Sequence, residues 1–218
     1  MNIVNEVLIN KMENLYNSDS QEKPKNELIR EIEEELLNLK NSPLYEFRIE
    51  NKYIPVIGEG SLDAEIMIIG EAPGKNEAEI GKPFCGRSGK ILDELLEHNN
   101  IKREDVYITN IVKDRPQENR DPTSEEIEIY GPLLDRQIEI IKPKVISTLG
   151  KYSMEYILNK FGLTDEIEKI GKVHGKAFDT ETSYGTIKIV CLFHPAVAVY
   201  NSKRKDELMK DFEILKKL

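Results

Sequence analysis

Three side chains of different chemistry occupy equivalent places along the 218-residue chain. Glu71, Asn110 and His194 each fall at or just past the end of a short apolar run. The types are complementary. A carboxylate can orient or deprotonate water, a carboxamide presents a donor beside an acceptor, and an imidazole N–H can steady a developing negative charge. Glu71 lies in Ile66-Met-Ile-Ile-Gly-Glu-Ala-Pro-Gly74, where Gly70, Pro73 and Gly74 stop a strand and force a tight turn. A carboxylate there is either reactive or an exposed turn residue. A second glycine-rich stretch, Gly81-Lys-Pro-Phe-Cys-Gly-Arg-Ser-Gly89, follows it. An Asn at a strand end is equally a cap and Phe84 equally a core aromatic, so these residues gain meaning only if one architecture gathers them.

That architecture is written in the order of the elements. Residues 66–70 predict a buried strand. After the 70–89 loop a helix runs from about Lys90 to Asn99, with Ser88 as its N-cap. Val106 to Asn110 is a second strand. The loop from Lys113 to Pro122 leads into a helix opened by the capping-box pattern Thr123-Ser-Glu-Glu and closed before Pro143. Lys144 to Gly150 is the third strand and Tyr152 to Phe161 the next helix. Residues 169–192 read as strand–turn–strand with Tyr184-Gly185 at the turn, and a Lys-rich helix from about Lys203 to Leu218 closes the chain. Alternation of strand and helix four times over predicts an α/β fold whose parallel sheet is covered on both faces. Right-handed crossovers then bring the strand ends to one rim, the edge at which such sheets bind ligands. Ahead of this unit, residues 43–218 with 43–64 irregular, residues 1–42 predict an acidic helical flank packed on the domain. Its two helices span roughly 4–16 and 25–40, and Leu28, Ile29, Ile32, Leu36, Leu37 and Leu39 form the apolar stripe of the second.

Composition narrows the function class. A net charge of −9 argues against a simple polyanion binder, and residues 1–50 alone carry 6 Lys/Arg against 11 Asp/Glu. Contact with nucleic acid therefore needs a local basic rim. The candidates are Lys75, Lys82, Arg87 and Lys90; Lys113, Arg115 and Arg120; Lys172 and Lys176; and Lys203, Arg204 and Lys205. Each group flanks a loop, and each is equally a solvated face. No apolar run is long enough to span a bilayer, and Met1-Asn-Ile-Val-Asn-Glu lacks the features of a secretory signal. Cys85 and Cys191 lie far apart without metal spacing, which suits free thiols in a reducing cytoplasm better than a bridge. Gly86-Arg-Ser-Gly-Lys90 suggests a phosphate loop, but Ile91 follows where Ser or Thr is needed, so nucleotide binding is the weaker alternative.

Taken in order, six segments resemble the uracil-DNA glycosylase superfamily, and most of all its thermostable iron–sulfur class, family 4. They are Gly70-Glu-Ala-Pro-Gly74, the 81–89 stretch, Tyr107-Ile-Thr-Asn-Ile-Val-Lys113, Asn119-Arg-Asp-Pro-Thr123, Lys142-Pro-Lys-Val-Ile146 and Phe193-His-Pro-Ala196. The likeness runs from about residue 40 to 212. It implies a three-layer α/β/α sandwich around a four-stranded parallel sheet, and hydrolysis of the N-glycosidic bond of a deoxyuridine flipped out of DNA. It further implies catalytic roles for Glu71, close to the sugar, and for His194, donating near O2 of the departing anionic base. Phe84 matches the stacking residue and Asn110 the reader of the uracil edge, in a pocket shared with Gly70 and Ala72. Glu77 matches the side chain that crowds C5 and excludes thymine, Gly74 standing where other branches carry a bulky Tyr. Ala72 replaces an acidic water activator of faster relatives, which predicts slower, more dissociative chemistry. His98 and His174 match no motif and are expected to be surface or structural. The implied partner is DNA bound by a monomer. Phosphate contacts are expected from Gly86, Arg87, Ser88 and Gly89 at a helix start and from Lys113, Arg115 and Arg120, with further contact from Pro195, Ala196, Val197 and Ala198.

The chain departs from the family in two places. Family 4 holds a [4Fe–4S] cluster with four cysteines; Leu39, Ser42, Asp114 and Tyr130 stand at those positions. No iron–sulfur cluster and no other cofactor or metal is expected, and the amino-terminal helices are expected to supply the missing buttress. Ala198 stands where relatives place a Leu wedge that fills the gap left by the extruded base. Its small size favours single-stranded DNA or another deaminated base, hypoxanthine or xanthine. The rival expectation is a catalytically weak or inactive homologue that binds damaged or single-stranded DNA.

Overall fold

A computed structural model describes residues 23–217; the helix expected over 4–16 lies outside them. The described residues begin with α1 (Lys25–Leu37) and α2 (Tyr45–Glu50), then β1 (Glu59–Gly60), β2 (Ile66–Gly70), α3 (Lys75–Ile80), α4 (Arg87–His98) and β3 (Tyr107–Asn110). It continues with α5 (Ser124–Ile141), β4 (Val145–Leu149), α6 (Lys151–Lys160), α7 (Ile170–Val173), β5 (Lys176–Thr182), β6 (Gly185–Leu192), α8 (Ala196–Tyr200) and α9 (Lys205–Phe212).

The strands form one sheet in the order β1-β3-β2-β4-β6-β5. β3, β2, β4 and β6 run parallel, whereas β1 and β5 add to the two edges antiparallel. The four-stranded parallel sheet expected from the resemblance is thus the centre of a six-stranded mixed sheet. The physical reason is local. β1 is only Glu59-Gly60, too short for any period, and β5 is the first arm of the β5–β6 hairpin, with alternate side chains in solvent.

Alternation along the central strands sends side chains to opposite faces. Met67, Ile69, Ile146, Ile189 and Cys191 pack beneath Leu134 and Ile138 of α5 and Met154, Ile157 and Leu158 of α6. Ile68, Ile108, Val190 and Leu192 pack on the other side against Leu92, Leu95 and Leu96 of α4 and Leu208 and Phe212 of α9. A third cluster joins Ile32 and Leu36 of α1 to Leu44, Val112, Tyr130 and Leu133. Leu37, expected in the α1 stripe, is exposed instead.

Two further expectations shift. The 43–64 segment holds α2 and β1 rather than being wholly irregular. α4 starts at Arg87, three residues early, because extended Gly86 is its N-cap and Ser88 is already inside the first turn. The α5 capping box forms as expected, Thr123 Oγ1 accepting from the Glu126 N–H and the Glu126 carboxylate from the Thr123 N–H. Among the described residues no helix is long and apolar enough to cross a membrane.

Candidate active site

At the carboxyl ends of β2 and β3 the register sets Gly70 opposite Asn110, and the pairing continues as Ile111 donates to Gly70 O and Val112 to Glu71 O. A side chain at Gly70 would overlap both Asn110 Oδ1 and the edge of the Phe84 ring. Glycine there lets the carboxamide and the aromatic ring meet over the strand end. Phe84 itself takes φ 48°, the left-handed region that non-glycine residues avoid at a cost of order 1–3 kcal/mol. Gly89 makes this bend possible, since a Cβ on it would run into the Phe84 carbonyl.

A hollow of about 190 Å³ opens beside them, lined by Ala72, Gly74, Glu77, Phe84, Ser88, Asn110, Asn119 and His194. His194 enters it from the loop after β6, its ring 5.5 Å from the Phe84 ring between centroids and tilted by 30°. Nδ1 accepts the Ala196 N–H at 3.1 Å. Burial lowers the imidazole pKa to about 4. The ring is therefore neutral near pH 7, and with Nδ1 accepting, its proton resides on Nε2 as a single donor.

Glu77 is a fixed wall. Its Oε1 accepts the backbone N–H groups of Cys85 at 3.1 Å and Gly86 at 2.9 Å, and its Oε2 lies where a Cβ on Gly74 would come within 2.7 Å. One carboxylate thus orders the 84–86 loop and occupies the space that a bulkier residue 74 would fill.

Glu71 does not line this hollow. Its carboxyl is half-buried, and desolvation raises its pKa to about 7, with Asp121 pushing the same way and Lys151 opposing. Asp121 is itself held by the Tyr152 hydroxyl at 2.7 Å. The acid that faces the hollow is Glu77.

Several expected DNA contacts are corrected by burial and pairing. Lys113 is 0 % exposed; its Nζ donates to Asn110 O and Gln137 Oε1 at 2.6 Å and to Thr109 Oγ1 at 2.7 Å. It sits behind the strand end and reaches no phosphate. Arg120 is bound in a fork to Glu126, with distances of 2.5 and 2.9 Å, so its charge is committed to the start of α5. The Gly86 N–H is already taken by Glu77. Pro195 and Ala198 are buried, Ala198 within the core beneath α4, so neither projects as a wedge; Ala196 and Val197 are half-buried.

Of the remaining contacts Gly89 is buried against the Phe84 carbonyl, Ser88 is half-buried and Arg87 is open to solvent. Arg87 is exposed with no ion pair among the described residues, and the N–H groups of Arg87, Ser88 and Gly89 open the first turn of α4. Arg115 is half-buried, donating to Tyr53 Oη at 2.6 Å and Asn119 Oδ1 at 2.8 Å. Of the two other histidines, His174 pairs with Asp211 at 2.6 Å and stacks on Phe193, a structural place.

Two residues received no role from sequence. Asn119 lines the hollow, presented by consecutive left-handed residues Glu118 and Asn119 at φ 55° and 54°. The signal available was an Asn, which tolerates that conformation, inside a motif already singled out. Tyr200 is 84 % exposed at the end of α8, the helix that begins two residues after His194.

An aromatic plate, a carboxamide and a neutral imidazole are thus gathered at the strand ends of one α/β sheet. The chain belongs to the uracil DNA glycosylase superfamily, whose family profile matches residues 57–216. It is 42% identical over 191 residues to a type-4 uracil-DNA glycosylase of Sulfurisphaera tokodaii, covering 87% of this chain and 84% of that one. It is 40% identical over 187 residues to the type-4 uracil-DNA glycosylase of Archaeoglobus fulgidus, covering 86% and 91%. A third type-4 uracil-DNA glycosylase, from Saccharolobus solfataricus, is 46% identical over 187 residues, covering 85% and 83%.

Proposed function

We propose that this protein excises uracil from DNA by hydrolysing the N-glycosidic bond of a flipped-out deoxyuridine, leaving an abasic site. The observation that carries the reading is the convergence of Phe84, Asn110 and His194, distant in sequence, on one hollow of about 190 Å³. That volume is below the ~300 Å³ of ordinary small-molecule sites, as suits a single base. The base stacks on Phe84. The Asn110 carboxamide pairs with O4 and N3–H, and cytosine, with donor and acceptor exchanged, leaves it mismatched. Glu77 crowds the C5 side and rejects the thymine methyl.

Bond cleavage sends negative charge onto the base, and in this reading the Nε2–H of neutral His194 donates to it without a proton changing hands. Glu71, outside the base hollow, works on the sugar side, where an ionised carboxylate favours the oxocarbenium-like centre and orients water. Ala72 offers no second group for water activation, consistent with a slow enzyme. On the DNA side we assign phosphate contact to Arg87, the first turn of α4 and Arg115. Exposed Tyr200, not buried Ala198, is the apolar side chain available to the base stack. The acidic α1 segment is read as a flank packed on the domain, the enzyme as a monomer, and its two free thiols suit a reducing cytoplasm.

The test is release of free base from an oligonucleotide carrying one uracil, in single- and double-stranded form, with hypoxanthine and xanthine alongside. Wild type cleaves, and Asn110→Ala and His194→Ala each lose on the order of 10²–10³ in single-turnover rate. Tight binding of uracil DNA with no base released by wild type would instead favour the inactive-binder reading.

A further inference from the structure

The four positions at which the family-4 resemblance expects cluster cysteines come from three separate parts of the chain, and the fold brings them to one buried place. Ser42 Oγ and Tyr130 Oη are 2.6 Å apart, and the Tyr130 hydroxyl donates to Asp114 Oδ2 at 2.6 Å. With its proton given to Asp114, the Tyr130 oxygen accepts from Ser42, whose own oxygen accepts the Leu44 N–H at 3.1 Å. Arg48, not one of the four, completes the set. Its Nη1 donates to both oxygens of Asp114 at 3.1 and 3.3 Å and to Leu36 O at 3.0 Å, and its Nη2 to Leu37 O at 2.8 Å. Those two carbonyls are the last of α1, which have no partner inside their own helix. Leu39 packs against the apolar cluster around Tyr130.

These residues do not fit an iron–sulfur cluster. Such clusters are held by thiolates. Leu39 has no ligating atom, the hydroxyl and carboxylate oxygens are engaged with one another, and the Tyr130 ring, 0 % exposed, fills space between the helices. The two cysteines lie elsewhere, Cys85 near the base hollow and Cys191 inside β6.

We infer that a buried hydrogen-bonded staple of Ser42, Tyr130, Asp114 and Arg48 replaces the cluster in this chain and fastens the α1–α2 segment to α5 and to the loop that follows Asn110. Every member has a partner, the condition under which a buried polar network rigidifies rather than weakens a fold. The staple holds one end of the loop that carries Arg115 and Asn119, and it stands whether or not the assigned reaction is correct.

Two measurements test it. Protein made anaerobically with iron and sulfide supplied is analysed for metal; less than about one iron per ten chains and no brown chromophore is expected, and about four irons per chain overturns the inference. Thermal midpoints read the staple itself. Tyr130→Phe keeps the ring and removes one hydroxyl, with an expected fall of roughly 4–8 °C, and Arg48→Met a fall of about 10 °C or more. Should Arg48→Met fail to fold, Ser42→Ala with an expected fall of about 2–4 °C takes its place, and its double variant with Tyr130→Phe falls by less than the sum. Midpoints unmoved by more than about 1 °C in both Tyr130→Phe and Ser42→Ala overturn it equally.

Discussion

Burial of Glu71 has a kinetic and a thermodynamic consequence of opposite value. With a pKa of about 7, the carboxylate form that the proposed chemistry uses fills in as pH rises through neutrality. The single-turnover rate should climb between about pH 6 and pH 8 with a midpoint near 7, and Glu71→Gln should be slow and lack that limb. Stability runs the other way. The folded chain keeps a proton on Glu71 where the unfolded chain, near 4.5, has lost it, so stability falls as pH rises from about 4.5 through 7. Glu71→Gln should therefore raise the thermal midpoint at about pH 8, by only a few degrees because the group is partly solvated, and leave it unchanged near pH 4. His194 has the reverse sign. Its folded pKa of about 4 lies below 6.5, so its contribution is whole above about 6.5 and is lost as pH falls toward 4. Gly70→Ala tests the pocket directly: the added methyl displaces Asn110 or Phe84, and the rate on uracil should drop about 10²-fold, while far-ultraviolet circular dichroism stays that of wild type.

At the scale of elements, the proposed phosphate contacts rest on the first turn of α4 and the rim around it. If Arg87 neutralises one phosphate, Arg87→Ala should reduce the slope of log affinity against log salt by about 1, whatever the oligonucleotide sequence. The same change at Arg120, already forked to Glu126, should instead lower the thermal midpoint and leave the salt slope alone. Tyr200→Ala should weaken activity on duplex more than on single strands, since only a duplex leaves a gap to fill. The central strands are legible because Ile66–Ile69 is an apolar run and Val106–Thr109 and Val145–Leu149 are rich in β-branched and aromatic residues, each ending at polar or turn residues. The start of α4 was misjudged because Ser outranks Gly as a cap in general, whereas here Gly86 adopts the extended cap conformation and its N–H is drawn off by Glu77. β1 carried no signal at all in two residues.

Across the whole molecule, the hollow draws on the loop after β2, α3, the 84–86 loop, the first turn of α4, the end of β3, the 117–119 turn and the loop after β6. Strand-end logic expects Glu71, Asn110 and His194 along one rim. It does not separate Glu71 from the hollow that Asn110 and His194 line, because a turn residue's side-chain direction depends on backbone angles that residue type does not specify. It also treated Lys113 as a surface cation, since Lys is almost never fully buried; three acceptors from β3 and α5 make this one the exception. That burial has a further consequence. Burial presses the Lys113 pKa well below the usual lysine value, while three acceptors match the three N–H groups of an ammonium. Loosening the end of β3 would strip those acceptors from the Lys113 amine and take their donor from Gln137 Oε1 and the Asn110 carbonyl together. Fraying at this one strand tip therefore also breaks its tie to α5, and the amide protons of residues 109–112 should exchange with solvent as slowly as those at the middle of β4.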